Sequence, residues 1–228
     1  MKPEDYEHQA RATGDQLAVG PRVGVIGSTS FWGKDSEEIC EKVGRLLACV
    51  EEIVLLTGGM TGVAEVVGRS FFRARQLSGL APSLYHILPN GSSRWDFGET
   101  LFAGSTYYER REILGRLARV YVAIEGGPGT VHEAEVARSR NAVLVPVGRT
   151  GGFAGELFPL VPCPLAACGA DWANLSNIAL STDTLAEGVL QIVQQLLACR
   201  AELGGAADRS QPVRPDTNRI SSAAGSGG

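Results

Sequence analysis

The sequence predicts an α/β fold, a Rossmann-like open parallel sheet with helices on both faces, in a single domain. Short β-branched apolar runs alternate with amphipathic stretches of helical length, the pattern of strands feeding crossover helices. Glycine is in excess: 29 of 228 residues, close to twice the roughly 7% usual in globular chains and without a collagen-like period. These glycines gather directly after the apolar runs, as Gly27 and Gly33, then Gly58, Gly59 and Gly62, then Gly126, Gly127 and Gly129, then Gly148, Gly151 and Gly152. In a parallel sheet such positions share one edge, the carboxyl ends of the strands, where ligands bind.

Taken in order, residues 1–20 mix Lys2, Glu4, Asp5, Glu7, Arg11 and Asp15 with few apolar side chains and read as a flexible segment. Residues 21–203 form the nucleotide-binding domain. Residues 204–228, rich in Gly, Ser and Ala, read as a disordered tail. Strands are expected at 22–26, 53–57, 83–88, 120–124 and 143–147, with a sixth at 178–180. Asp35 is placed to cap the first crossover helix, with Glu37 and Glu38 in its first turn and Ile39, Val43, Leu46, Leu47 and Val50 at helical spacing. Further helices are expected over 63–76, 107–117, 130–139 and 184–203. The last presents Leu185, Val189, Ile192, Val193, Leu196 and Leu197, a stripe wide enough to cover the sheet and to meet a second subunit.

Charge and composition exclude several function classes. Lys plus Arg is 21 against Asp plus Glu 25, a net charge of −4, so the chain has no broad basic footprint for nucleic acid or a membrane surface. Five cysteines without C-x-x-C spacing and three histidines point to a reduced compartment, with no structural zinc. Residues 157–170, the longest uncharged apolar stretch, contain Pro159, Pro162 and Pro164 and cannot cross a bilayer as a helix. No signal peptide is visible at the start of the sequence, and the protein reads as cytoplasmic. The run from Gly127 to His132 lacks the third glycine of a dinucleotide fingerprint, and Gly33-Lys34-Asp35 lacks the remaining residues of a P-loop. No cofactor is therefore expected.

Two segments carry candidate chemistry. In Glu125-Gly-Gly-Pro-Gly-Thr-Val-His-Glu133, Thr130 and Glu133 have the spacing of a capping box. A cap alone does not require Gly126, Gly127 and Gly129 before it, whereas a phosphate or ribose docked on a helix N-terminus does. Glu133 shares a helix face with Val136 and Ala137 and so turns inward. In the second segment, from Tyr107 to Leu117, Arg110 lies on the stripe of Ile113, Leu114 and Leu117. An inward arginine needs an anionic partner, and Glu133 and a substrate phosphate are both candidates.

Gly126-Gly-Pro-Gly-Thr-Val-His-Glu133 resembles the P-G-G-x-G-T-x-x-E motif of the Lonely Guy family, phosphoribohydrolases of cytokinin nucleotides that also carry a lysine decarboxylase label. Tyr108-Glu-Arg-Arg111, Gly58-Gly-Met-Thr-Gly62 and Gly27-Ser-Thr-Ser30 resemble three further motifs of that family, in order. Glu125 stands where the family has proline, Tyr108 where it has histidine and Arg111 where it has lysine. The Gly-Pro-Gly-Thr wording is also similar to molybdenum cofactor carrier proteins, which bind a pterin nucleotide without turning it over. The resemblance implies a homodimer that cleaves the N-glycosidic bond of a nucleoside 5′-monophosphate, with or without an N6 substituent. It makes Arg110 and Glu133 the catalytic pair, and Gly126, Gly127, Gly129 and Thr130 the phosphate loop. Ser28, Thr29, Gly58, Gly59 and Arg111 are expected around the base and ribose; Arg94, Trp95 and Asp96, in the long loop after the third strand, are placed either to close over the base or as an ordinary surface cluster with an exposed aromatic. The carrier function is the alternative. Decarboxylation through pyridoxal needs a Schiff-base lysine, and of Lys2, Lys34 and Lys42 only Lys34 lies in a loop of the domain.

Overall fold

The computed structural model describes residues 2–208. Six strands, β1 (Arg22–Gly27), β2 (Val54–Thr57), β3 (Leu84–Leu88), β4 (Glu99–Phe102), β5 (Val120–Ile124) and β6 (Val143–Val147), form one sheet in the order β4-β3-β2-β1-β5-β6. Every pairing is parallel. The chain builds outward from β1 to β4 and then returns to lay β5 on the other side of β1. This reversal opens a crevice at the carboxyl ends of β1 and β5. Gly27 pairs with Ile124, so Ser28 and Glu125 leave the sheet side by side.

Two cores clothe the sheet. On one face, helices α2 (Ser36–Leu47), α3 (Val63–Leu77) and α8 (Thr182–Asp208) bring Ile39, Val43, Phe71 and Val189 onto Val23, Val25, Leu55 and Val122. On the other, α1 (Pro3–Gly14), α4 (Tyr107–Leu114), α5 (Pro128–Ser139) and α6 (Gly152–Leu157) bring Tyr6, Ile113, Leu114 and Ala134 onto Ile26, Leu56 and Tyr121. A short helix, α7 (Gly169–Asn174), packs on α8. With both faces covered, the central strands are apolar throughout rather than alternating.

The structure departs from the sequence reading in four places. Residues 3–14 are not a flexible segment. They form α1, which buries Tyr6 and Ala10, and the following Leu17 is buried as well. The apolar side chains are few but sit on one face, and the Ala18 N–H donates to the Tyr85 hydroxyl at 3.0 Å. The sixth strand is β4, not 178–180, where Ile178 is 82% exposed. The stripe of α8 covers the sheet as expected, with Leu185, Val189, Ile192, Val193 and Leu196 all buried in the first core. That helix also runs to Asp208, five residues into the expected tail, and the remainder, 209–228, lies outside the described residues. Asp35 does precede α2, but its carboxylate makes no cap bond and instead accepts from Arg149 at 2.7 Å. Among the described residues, no helix is long and apolar enough to cross a membrane.

Candidate functional site

A cleft of about 360 Å³ opens at the carboxyl ends of the strands, between the loops after β1, β2 and β5 and the start of α4. Its floor is an ion pair. Arg110 on α4 is 2% exposed and Glu133 on α5 is 6% exposed, and Arg110 Nη1 donates to Glu133 Oε1 in a short contact. Each helix turns its inner face to the sheet and carries one charged residue there. Gly58, at the end of β2, makes room for the pair: a Cβ at this position would lie 2.7 Å from Arg110 Nη1. Arg110 Nε has no hydrogen-bond partner among the described residues. Burial pushes the Glu133 carboxyl above the usual carboxylate range, and the Arg110 charge and hydrogen bond offset that only in part.

The loop before α5 begins the helix earlier than the sequence reading had it. Gly127 is the N-cap and Pro128 the first helical residue, where its missing N–H costs nothing. Thr130 is therefore inside the helix and forms no capping box with Glu133. Its N–H turns back to the Gly127 carbonyl at 2.9 Å, and its hydroxyl donates to the Gly27 carbonyl at 3.0 Å. Glu133, relieved of capping, faces Arg110. Gly127, Gly129 and Thr130 line the cleft, whereas Gly126 is buried behind them. Gly126 has φ +108°, and a side chain there would meet Thr130 at 2.7 Å. The N–H of Gly129, the second helical residue, is among those a helix leaves without an intrahelical partner. Arg111 is the nearest side chain to Gly129 and also lines the cleft.

Ser28, Thr29 and Gly58 line the same cleft, while Gly59 does not. Gly59 lies in an adjoining groove with Leu88, Arg94 and Trp95. Its N–H donates to Thr57 Oγ1, and its carbonyl accepts the Trp95 indole N–H at 2.8 Å. Trp95 is thus tied down and packed against His86 and Phe97 rather than placed as a cover. His86 bridges Thr57 Oγ1 at 2.7 Å and the Phe97 carbonyl at 3.1 Å, so this chain of bonds sets the Gly58-Gly59 turn beside Arg110. Among the described residues, no cluster of three His, Cys, Asp or Glu could hold a metal ion.

Three features, two lining the cleft and one behind it, escaped the sequence reading. Trp32 and Tyr107 both line the cleft and are exposed. Glu125, noted only as standing in place of a proline, is fully buried with φ +52°. It accepts from Ser28 Oγ at 2.5 Å, from Trp32 N–H at 3.0 Å and from Gly33 N–H at 2.8 Å. Burial alone would raise its pKa, but these bonds and one from Ser36 outweigh burial and hold the carboxyl below its ordinary range. The glycine-rich context was the visible signal, since a charged residue directly after a buried strand has no water to turn to.

The SLOG cluster4 family model matches residues 21–155. The chain belongs to this family. The matched segment contains all six strands and every residue lining the cleft. Among solved structures, the TM1055 protein is similar at 22% identity and a TM-score of 0.57, over 77% of this chain and 99% of that one. The molybdenum cofactor carrier protein of Chlamydomonas reinhardtii is similar at 21% identity and a TM-score of 0.51, over 77% and 99%. The molybdenum cofactor binding protein of Rippkaea orientalis follows at 24% identity and a TM-score of 0.50, over 77% and 98%. Such identities speak to fold. The resemblance read from the motifs holds for this SLOG cluster4 chain at the level of family and fold. No curated protein matches it significantly in sequence.

Proposed function

We propose that this SLOG cluster4 protein hydrolyses the N-glycosidic bond of a nucleoside 5′-monophosphate, giving free base and ribose 5-phosphate. The observation that carries this reading is the buried Arg110–Glu133 pair on the cleft floor, beside a glycine-rich helix N-terminus. Phosphate binding alone is served by the loop and Arg111, and it does not call for a buried carboxylate. Glycosidic cleavage does. As the bond from C1′ to the base nitrogen breaks, positive charge grows on the sugar ring, and a carboxylate beside it stabilises that state. Glu133 also takes a proton from the water whose oxygen bonds to C1′, and the departing base nitrogen takes its proton from solvent, so that one water is divided between sugar and base. Arg110 holds Glu133 in place and favours its ionised form against burial.

The 5′-phosphate rests on the N-terminus of α5, at Gly127 and the free N–H of Gly129, with Arg111 alongside. Thr130 and Gly126 shape this loop from behind: the Thr130 N–H and hydroxyl are committed to the Gly127 and Gly27 carbonyls, and the Gly126 carbonyl accepts from the Phe153 N–H at 2.9 Å. Ser28, Thr29 and Gly58 surround the ribose and base. The test is to incubate the protein with AMP and N6-modified AMP and to assay free base and ribose 5-phosphate. Catalytic release is expected, and none from any purine or pyrimidine monophosphate would overturn the reading.

The second reading is a carrier that binds a phosphorylated pterin or nucleotide without chemistry. The two molybdenum cofactor proteins of the same fold favour it. It predicts a stoichiometric ligand that copurifies and is released intact on denaturation.

A further inference from the structure

Trp32 combines an exposed side chain with a fixed main chain. The residue is 58% exposed, yet its N–H and that of Gly33 both donate to Glu125 Oε1. Glu125 is itself tied on the other side, its N–H donating to Thr150 Oγ1 at 2.9 Å and its carbonyl accepting from Ala154 N–H at 3.0 Å. One buried residue thus locks together the loops after β1, β5 and β6, its carboxylate holding the first and its main chain the last. The indole edge rests on glycine backbone: a Cβ at Gly152 would lie 2.6 Å from Cζ3, and one at Gly127 would lie 3.7 Å from Cη2. A ring so supported forms one wall of the cleft, with Tyr107 lining it from α4. An exposed loop tryptophan would ordinarily lose side-chain freedom for nothing. Here the entropy is spent before a ligand arrives, which is how a preorganised contact gains affinity.

We propose that Trp32 is the stacking surface for the planar heteroaromatic ring of the ligand, and that Glu125 is the positioning residue that holds it there. The π-face of indole accepts any base or pterin ring, so Trp32 supplies affinity for a flat ring without choosing among bases. The inference rests on the cleft being a nucleotide site as read above, but not on hydrolysis taking place. A role for Glu125 through Trp32 also separates it from Glu133, since Glu125 makes its hydrogen bonds to the loops rather than lining the cleft.

The experiment uses carbocyclic AMP, whose ring methylene in place of oxygen prevents glycosidic hydrolysis, and ribose 5-phosphate as the ligand without a base. Binding is read by calorimetry and by quenching of tryptophan emission in the full chain. Carbocyclic AMP should quench the wild type. Trp32→Ala should weaken carbocyclic AMP about tenfold or more, leave ribose 5-phosphate within about twofold, and remove most of the quench. Trp32→Tyr should restore affinity to within about threefold, because a second aromatic face is supplied. Glu125→Gln keeps an oxygen for both N–H groups and should behave as wild type, whereas Glu125→Leu should reproduce the selective loss. The Trp32 variants decide alone if Glu125→Leu does not fold. Equal loss of both ligands in Trp32→Ala, unchanged carbocyclic AMP binding, or no binding of carbocyclic AMP by the wild type would overturn the proposal. A Trp32-dependent quench without base release from AMP upholds the stacking surface and defeats the hydrolase reading alone.

Discussion

Arg110 and Glu133 form an ion pair in which both side chains are more than nine-tenths buried. Taking two charges out of water costs more than most surface pairs return, and substituting apolar residues for both is often neutral or stabilising. The pair is therefore poorly explained as a stabilising device. It is better explained as a carboxylate kept at the end of the sheet where a ligand arrives.

That view separates stability from activity in a cycle of variants. Arg110→Ala leaves Glu133 buried without its partner and should cost about 3–5 kcal/mol in urea unfolding. Arg110→Met combined with Glu133→Leu should recover most of that loss and still release no base from AMP. Recovery of turnover along with stability would contradict the assignment.

Gly58 gives a finer test, because a methyl group there meets the far end of the flexible Arg110 side chain rather than backbone. Gly58→Ala should change unfolding free energy by only about 1 kcal/mol. It should lower turnover by roughly tenfold to a hundredfold, since small misplacements of catalytic groups are costly. Stopped assays beside denaturant melts measure the two effects separately.

His86 predicts a pH dependence. Burial holds its ring at about 4, down from an ordinary 6.5, with one nitrogen facing the Thr57 hydroxyl and the other the Phe97 carbonyl. Between those values the unfolded chain binds a proton that the folded chain refuses. Stability should therefore fall as pH drops from 6.5 towards 4, by up to ~3 kcal/mol. Glu133 acts in the opposite sense, because its raised pKa makes its share of stability greatest in acid and lost as pH rises through that value. In His86→Gln, urea melts across this range should show a flattened slope whatever the variant's absolute stability.

Removing residues 2–18 tests the first helix. Tyr6, Ala10 and Leu17 pack in the second core with Leu117 and Tyr85, and Glu7 bridges Arg116 and Arg140 at 3.1 Å each. The truncated chain should lose about 3 kcal/mol or more, from burial of the two larger side chains alone. A flexible segment would give an unchanged melt.

The strands that were legible are the long apolar ones. Residues 120–124 and 143–147 are buried on both faces, and the reading placed them to the residue. β4 was not legible, because Glu99–Phe102 is four residues at a sheet edge between Gly98 and Gly104, too short to show a period. Residues 178–180 offered the apolar content of a strand without a neighbour to pair with. In the site, the inward turn of Arg110 and of Glu133 could be read from helical spacing, because each shares a stripe with core residues. The helix start could not: proline at its first position and a threonine hydroxyl drawn to the Gly27 carbonyl moved the boundary back two residues from Thr130 to Pro128. Glu125 and Trp32 were opaque for a different reason. Their meaning lies in contacts across more than ninety residues of sequence, which no local pattern carries.

The most direct measurement compares the wild type with Glu133→Gln at saturating AMP, following free adenine by chromatography. The account predicts many turnovers by the wild type and a loss of about a hundredfold or more in the variant, with carbocyclic AMP still bound by both. Adenine release undiminished by Glu133→Gln, or AMP recovered intact from the wild type after long incubation, would contradict it.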